Sequence, residues 1–271
     1  MKMINSPKRR SLHWAEYAAE GLGTGLLVFV GLSAVVFNFG KGLPMESWVP
    51  DPSLRRLLTG LMFSGTGSLI AISPLGKLSG AHLNPSLSLA FWLQGKMQHQ
   101  DFVGYVIAQC VGAIVGAVLL VRVWGAYAAS VNNGMTLPGQ NYPLGTVFLA
   151  EVSMTWLLVL LIFLFVSSPR LLRWTPVMTW ILVAVMVWLE SPISGTSLNP
   201  ARSLGPAFVS HNWSDWWLYA IAPPSGATIA VVVFRYFERD VFTGKLFHVS
   251  HYRSIFKNVT APCLQNGRLV R

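Results

Sequence analysis

Charge of either sign is scarce in this chain, and acid especially so: 10 Asp and Glu stand beside 20 Lys and Arg in 271 residues, charged residues totalling 11%. Soluble domains carry about 25% charge, so an ordinary water-solvated domain is excluded. Cysteine is close to absent: Cys110 and Cys263 give neither a metal-ligand spacing nor a disulfide framework. No Gly-rich phosphate loop, no carboxylate pair facing a cleft and no nucleophile elbow occurs, so nothing points to an enzyme.

Apolar length is what the chain has instead. Hydrophobic residues make up 53% of it, and runs long enough to cross a hydrocarbon core, about 20 residues as helix, lie near 14–37, 54–75, 102–124, 144–167, 174–191 and 215–237. These six runs predict an all-α membrane protein. Residues 1–13 read as an N-terminal segment, 14–237 as the membrane domain and 238–271 as a basic C-terminal tail. The basic group Lys8, Arg9 and Arg10 resembles a signal-peptide head, but the apolar run behind it is long and lacks a small-residue cleavage site, so it is read as a retained helix.

A net charge of +10 raises the question of nucleic acid. Distribution decides against it. With alternating spans, most Lys and Arg fall on the side of both termini, among them Lys2, Lys77, Lys96, Arg170, Arg173, Arg235 and Lys245, as the positive-inside rule expects of cytoplasmic ends. Trp14, Trp48, Trp124, Trp174, Trp213, Trp216 and Trp217 sit near span ends, as interfacial belts do. The tail after Phe237 reads as solvated, with contact to anionic lipid heads as the alternative.

The chain also repeats itself. Ala19-Glu20 with Thr24 and Leu26-Leu27-Val28 matches Ala150-Glu151 with Thr155 and Leu157-Leu158-Val159. Ser79-Gly80-Ala81-His82-Leu83-Asn84-Pro85 matches Ser194-Gly195-Thr196-Ser197-Leu198-Asn199-Pro200, and Tyr105 with Gly112-Ala113 matches Tyr219 with Gly226-Ala227. The copies, about 14–124 and 144–237, hold three spans each, so the second enters the membrane from the opposite side. Inverted repeats place a site near the midplane, where helices are interrupted.

The interruption falls at the Asn-Pro pairs. Asn is a strong N-cap and Pro suits the first helical turn, so Pro85 and Pro200 each start a helix too short to span. The Gly- and Ser-rich residues before them suit re-entrant loops, which membranes tolerate only inside protein or along a water-filled cavity. Two helix N-termini, each about +0.5 charge, then meet head on, an arrangement that opposes cations while Asn84 and Asn199 donate to a neutral polar molecule.

At these residues the sequence resembles the aquaporins, or major intrinsic proteins, over about 14–237. The resemblance implies six transmembrane helices with two re-entrant half helices, a homotetramer with one pore per subunit, no cofactor and no bound metal. It implies paired pore asparagines Asn84 and Asn199, a carbonyl ladder at Gly80, Ala81, His82, Gly195, Thr196 and Ser197, and Glu20 and Glu151 as loop-supporting acids. The selectivity constriction would comprise Phe63, Val187, Thr196 and Arg202; gap-free counting from Asn84 lands on Ser64 instead of Phe63, and Phe63 is preferred by allowing one extra residue around Pro74-Leu75.

The chain departs from the family pattern in places. Ser86 stands where Ala is usual and adds a hydroxyl near the pore, and Val187 stands where water-selective members have His. Ser203 and Ala207 look water-type, whereas Ala220 does not. Water is the expected cargo, small neutral solutes such as glycerol the alternative, and a secondary transporter the rival class, since it too uses inverted repeats and broken helices. Glu16 and Glu190 read as interfacial, and His82 as a hydrogen-bonded loop histidine.

Overall fold

A computed structural model describes residues 12–237, 239–248, 254–256, 263–265 and 268–270. Lys2, Lys8, Arg9 and Arg10, which carry part of the charge asymmetry, lie outside the described residues. Eight longer helices form the body: α1 Trp14–Phe39, α2 Pro52–Ile72, α3 Pro85–Leu93, α4 His99–Trp124, α5 Leu144–Val166, α6 Thr175–Ser194, α7 Pro200–Val209 and α8 Trp216–Arg235. Near the C-terminus Cys263–Gln265 pairs antiparallel with Arg268–Val270, a small departure from an all-helical chain.

Six of these helices match the six runs to within a few residues. At 1.5 Å per residue a 26-residue helix such as α1 measures about 39 Å, enough to cross a bilayer core. Five are also apolar enough to be recognised as spans on composition. The sixth, α2, is long enough but richer in Gly, Ser and Thr, because it spends those residues on its neighbour. Ser64 Oγ donates to Trp180 O at 2.9 Å and Ser68 Oγ to Pro176 O at 2.7 Å, while a Cβ on Gly60 would stand 2.6 Å from Ala184 O. Small residues let α2 and α6 approach closely, as membrane helices do in the absence of a hydrophobic drive between them.

The repeat appears as paired contacts. α1 packs on α4 as α5 packs on α8, and α1 on α2 as α5 on α6. Close approach needs glycine here: a Cβ on Gly112 would lie 2.0 Å from Gly21 O, and one on Gly226 2.2 Å from Val152 O. Each half helix leans on the third span of the other copy, α3 on α8 and α7 on α4, so the copies interlock.

Six crossings put the start of α1 and the end of α8 on one side, called here the terminal face, with the 125–143 connection on the far face. Outward positions such as Leu22, Leu26, Ile107, Val111 and Val115 are exposed and apolar, as is proper for lipid or a neighbouring subunit.

Candidate functional site: the meeting point of the half helices

Both half helices begin as the N-cap chemistry requires. Asn84 Oδ1 accepts from Ser86 N at 2.8 Å, and Asn199 Oδ1 accepts from Ala201 N at 3.0 Å and Arg202 N at 3.3 Å, with Pro85 and Pro200 in the first turn. The amide nitrogens reach across the repeat. Asn84 Nδ2 donates to Leu198 O and Asn199 Nδ2 to Leu83 O, both at 2.8 Å. A carboxamide has two N–H groups, so each asparagine ties the other copy's loop with one and retains one. Both line a single small cavity.

The loops feeding these caps turn tightly. Gly80, Ala81 and Leu83 hold φ of 96°, 55° and 51°, and Gly195, Thr196 and Leu198 hold 80°, 52° and 56°. Non-glycine residues with positive φ are uncommon, and here the same unusual path is traced twice. The buried acids hold it. Glu20 accepts from Ser79 Oγ, His82 N, Leu83 N and Gln109 Nε2 between 2.7 and 2.9 Å. Glu151 accepts from Ser194 Oγ, Ser197 N and Leu198 N between 2.5 and 2.9 Å. Tyr105 OH and Tyr219 OH donate to Ser79 O and Ser194 O. Both carboxyls are fully buried, and such burial is tolerable because several hydrogen-bond donors converge on each.

Two cavities flank the meeting point. On the far-face side one of about 320 Å³ is lined by Phe63, Val187, Thr196 and Arg202 together with Gly195 and Ser197. The other, of about 120 Å³, is lined by Ala81, His82, Asn84, Asn199, Ser64 and Leu246 among others. Phe63, Val183, Ser197 and Leu198 line both, so the two meet there. Phe63 rather than Ser64 belongs to the larger cavity, and the Arg202 guanidinium lies 5.7 Å from its ring centre. Arg202 Nη1 donates to Gly134 O at 2.9 Å, which steadies the guanidinium.

Several expectations need correction. Gly80 does not share the small cavity with Ala81 and His82; its carbonyl accepts from Leu246 N at 3.0 Å. Ser86 is fully buried, lines neither cavity, and its hydroxyl finds no hydrogen-bond partner, so it adds no polarity to the passage. Glu16 and Glu190, each near a span end, are buried within the protein. Thr196 Oγ1 donates to Glu190 Oε2 at 2.7 Å, a contact invisible to span counting because Glu190 faces inward one turn before the helix ends.

The C-terminal stretch is not a solvated tail where it is described. Residues 241–246 cross the terminal face from the end of α5, where Phe242 N donates to Val166 O, to the first loop, where Leu246 N meets Gly80 O. Val241, Thr243, Lys245 and Leu246 are buried. Lys245 Nζ donates to Lys77 O, and burial pushes this ammonium below the ordinary lysine value while the Glu16 carboxylate pulls it back. Nothing in the sequence pointed to Gln109, Gly134 or this crossing segment, since their partners lie 21 to 162 residues away.

An inverted pair of three-span units, joined through two asparagine-capped half helices between two cavities, defines a membrane channel of the major intrinsic protein class. The chain belongs to that family: its model, described as "Major intrinsic protein", matches residues 8–234. Among named relatives, aquaporin AqpM of Methanothermobacter marburgensis is 33% identical over 82% of this chain and 96% of its own length. Aquaporin Z of Bradyrhizobium diazoefficiens is 30% identical over 83% and 94%, and aquaporin-4 of Mus musculus 32% over 82% and 67%. The X-ray structure of the aquaglyceroporin from Plasmodium falciparum superposes with a TM-score of 0.67 at 23% identity, covering 82% of this chain and 96% of the other, and so shares the fold.

Proposed function

We propose that the chain is a passive channel for water that excludes ions and protons. The observation that carries the reading is the asparagine pair. Each carboxamide is fixed by one N–H to the opposite loop and by its oxygen to its own helix, so its remaining N–H is a preset donor to a neutral oxygen. Around it stand the positive ends of α3 and α7, and Arg202 adds a cation at the larger cavity. A hydronium ion or metal cation meets like charge at both places, whereas a water molecule finds donors in the asparagines and acceptors in the carbonyls of Ala81, His82, Gly195, Thr196 and Ser197. Phe63, Val187, Thr196 and Arg202 form the selectivity constriction in this reading, and Glu20 and Glu151 keep the loops in place.

Relatives named aquaporins support water as cargo. One observation favours a broader passage: Val187, a small apolar side chain, lines the constriction cavity, so small neutral solutes such as glycerol are the second reading. Basic residues gathered toward the terminal face support a cell-membrane location with both termini cytoplasmic, and the exposed apolar faces of α1 and α4 support a homotetramer in lipid.

Stopped-flow light scattering of proteoliposomes tests it. Shrinkage against a non-permeant osmolyte is expected to exceed that of empty vesicles with a low activation energy and no proton conductance. Saturable, ion-coupled flux instead would replace the channel with a transporter, and rapid re-swelling in glycerol would select the broader pore.

A further inference from the structure

Glu190 and Thr196 form a pair with no counterpart in the first copy. Under the spacing that matches Ser79 to Ser194, Thr196 corresponds to Ala81 and Glu190 to Leu75. The pair therefore exists only on the side where Arg202 stands. Glu190 is 8% exposed, its Oε2 accepts the Thr196 hydroxyl proton, and its Oε1 has no partner. A hydroxyl whose proton is committed to a carboxylate offers only lone pairs elsewhere. Thr196 lines the constriction cavity. We infer that Glu190 is a positioning residue that fixes Thr196 as an acceptor facing Arg202's donors, and so sets which solutes pass. This rests on the channel reading above.

The readout is the ratio of glycerol to water permeability, each after subtraction of the empty-vesicle value, which a loss of folded protein does not move. Glu190→Leu is expected to shift that ratio about threefold or more, the effect of one ordinary hydrogen bond, in the same direction as Thr196→Val. The double variant should match the single ones, because coupled residues do not add, and Glu190→Gln, which retains an acceptor, should stay near the parent. An unchanged ratio in Glu190→Leu, or additive shifts, overturns the proposal. If the parent itself does not exceed empty vesicles, the channel reading fails instead.

A separate set of contacts concerns the terminal face. Leu246 lines the same small cavity as Asn84 and Leu87, and its N–H occupies the Gly80 carbonyl. His82 Nε2 donates to Gly244 O at 2.8 Å; its Nδ1 then accepts from Ser88 Oγ, which accepts from Gln109, whose amide also donates to Glu20. The segment is thus wired to the acid that holds the loop. The fit is close: a Cβ on Gly244 would lie 2.2 Å from Phe256, whose ring packs beside His82 and Tyr105. We propose that residues 241–246 are an autoinhibitory strap across the terminal mouth, and that its withdrawal raises the flux above that of the strapped channel.

In the full-length chain, Leu246→Asp places a charge in the cavity wall and Gly244→Val collides with Phe256. Both are expected to raise water permeability per reconstituted subunit several-fold over the parent while thermal unfolding of the body stays cooperative. Equal or lower permeability in both variants overturns the strap. If neither the parent nor the strap variants exceed empty vesicles, the channel reading fails rather than the strap.

Discussion

The two copies of the repeat share a skeleton and differ at what covers it. In the first, the hydrogen-bond chain from Glu20 through Gln109, Ser88 and His82 ends on Gly244 of the crossing segment. In the second, Ser197 and Ser203 pass a shorter chain to Thr136 of the 125–143 connection, whose Gly134 also holds Arg202. One loop is thus capped by chain from beyond α8 and the other by chain between the copies. Identical positions, such as the acid, the tyrosine and the asparagine, make the half helices; unlike positions, such as Ala81 against Thr196 and Gln109 against Pro223, set what surrounds them. Symmetry marks scaffold, and its failures mark specialisation.

The largest effect is expected from the acids. Glu20 takes four donors and Glu151 three. Replacing either by Leu strands those donors at about 1–3 kcal/mol each, enough to abolish folded protein, as monodisperse yield in detergent would show. Glu→Gln refines the comparison. Its new NH₂ faces two donors, Leu83 N and Gln109 Nε2, if it takes the Oε2 site of Glu20, but one, Leu198 N, at that of Glu151. Thermal unfolding should fall further for Glu20→Gln, and adding Gln109→Leu should narrow the gap. Equal losses would mean that the fourth donor contributes nothing.

Asparagine comes next. Asn84→Ala and Asn199→Ala each remove a cap, about 1 kcal/mol, and a bond between the copies of similar worth. Asn199 caps two N–H groups and Asn84 one, so Asn199→Ala should cost more, read again by thermal unfolding, and both should lower water permeability. The tyrosines ought to be indistinguishable. Tyr105→Phe and Tyr219→Phe each strand one loop carbonyl, Ser79 O or Ser194 O, at about 1 kcal/mol. A marked inequality in chemical denaturation would break the symmetry where it looks tightest.

How much of this was legible in the sequence depends on chemical distance. Span limits were readable because lipid demands apolar length, and α2 is bounded by Asp51, whose side chain caps Ser53 N, and by Ser73-Pro74. The half helices were readable because Asn-Pro is a local signal. The inward facing of Glu190 was not readable because position along a span does not give it, and the tail was misread as solvated because charge content says nothing of Val241 and Leu246 burying beneath α5 and the first loop. Pairing Phe63 with Arg202 required allowing one residue of slack around Pro74; in the structure Pro74–Ser79 forms a short helical turn ahead of the loop, which accommodates it.

The smallest effect belongs to Ser86, and it separates sequence departure from functional departure. Ser86 matches Ala201 in the second copy, and both are fully buried. Its backbone N–H is engaged by Asn84, but its hydroxyl is enclosed with no partner. A buried hydroxyl without a partner costs on the order of 1–3 kcal/mol relative to an engaged one, and replacing it with a methyl of similar shape removes that cost. Ser86→Ala should therefore leave water permeability and the glycerol ratio unchanged while raising the unfolding temperature slightly. A change in either permeability would place Ser86 at the passage after all, and the first copy would then differ from the second in its lining as well as in its cover.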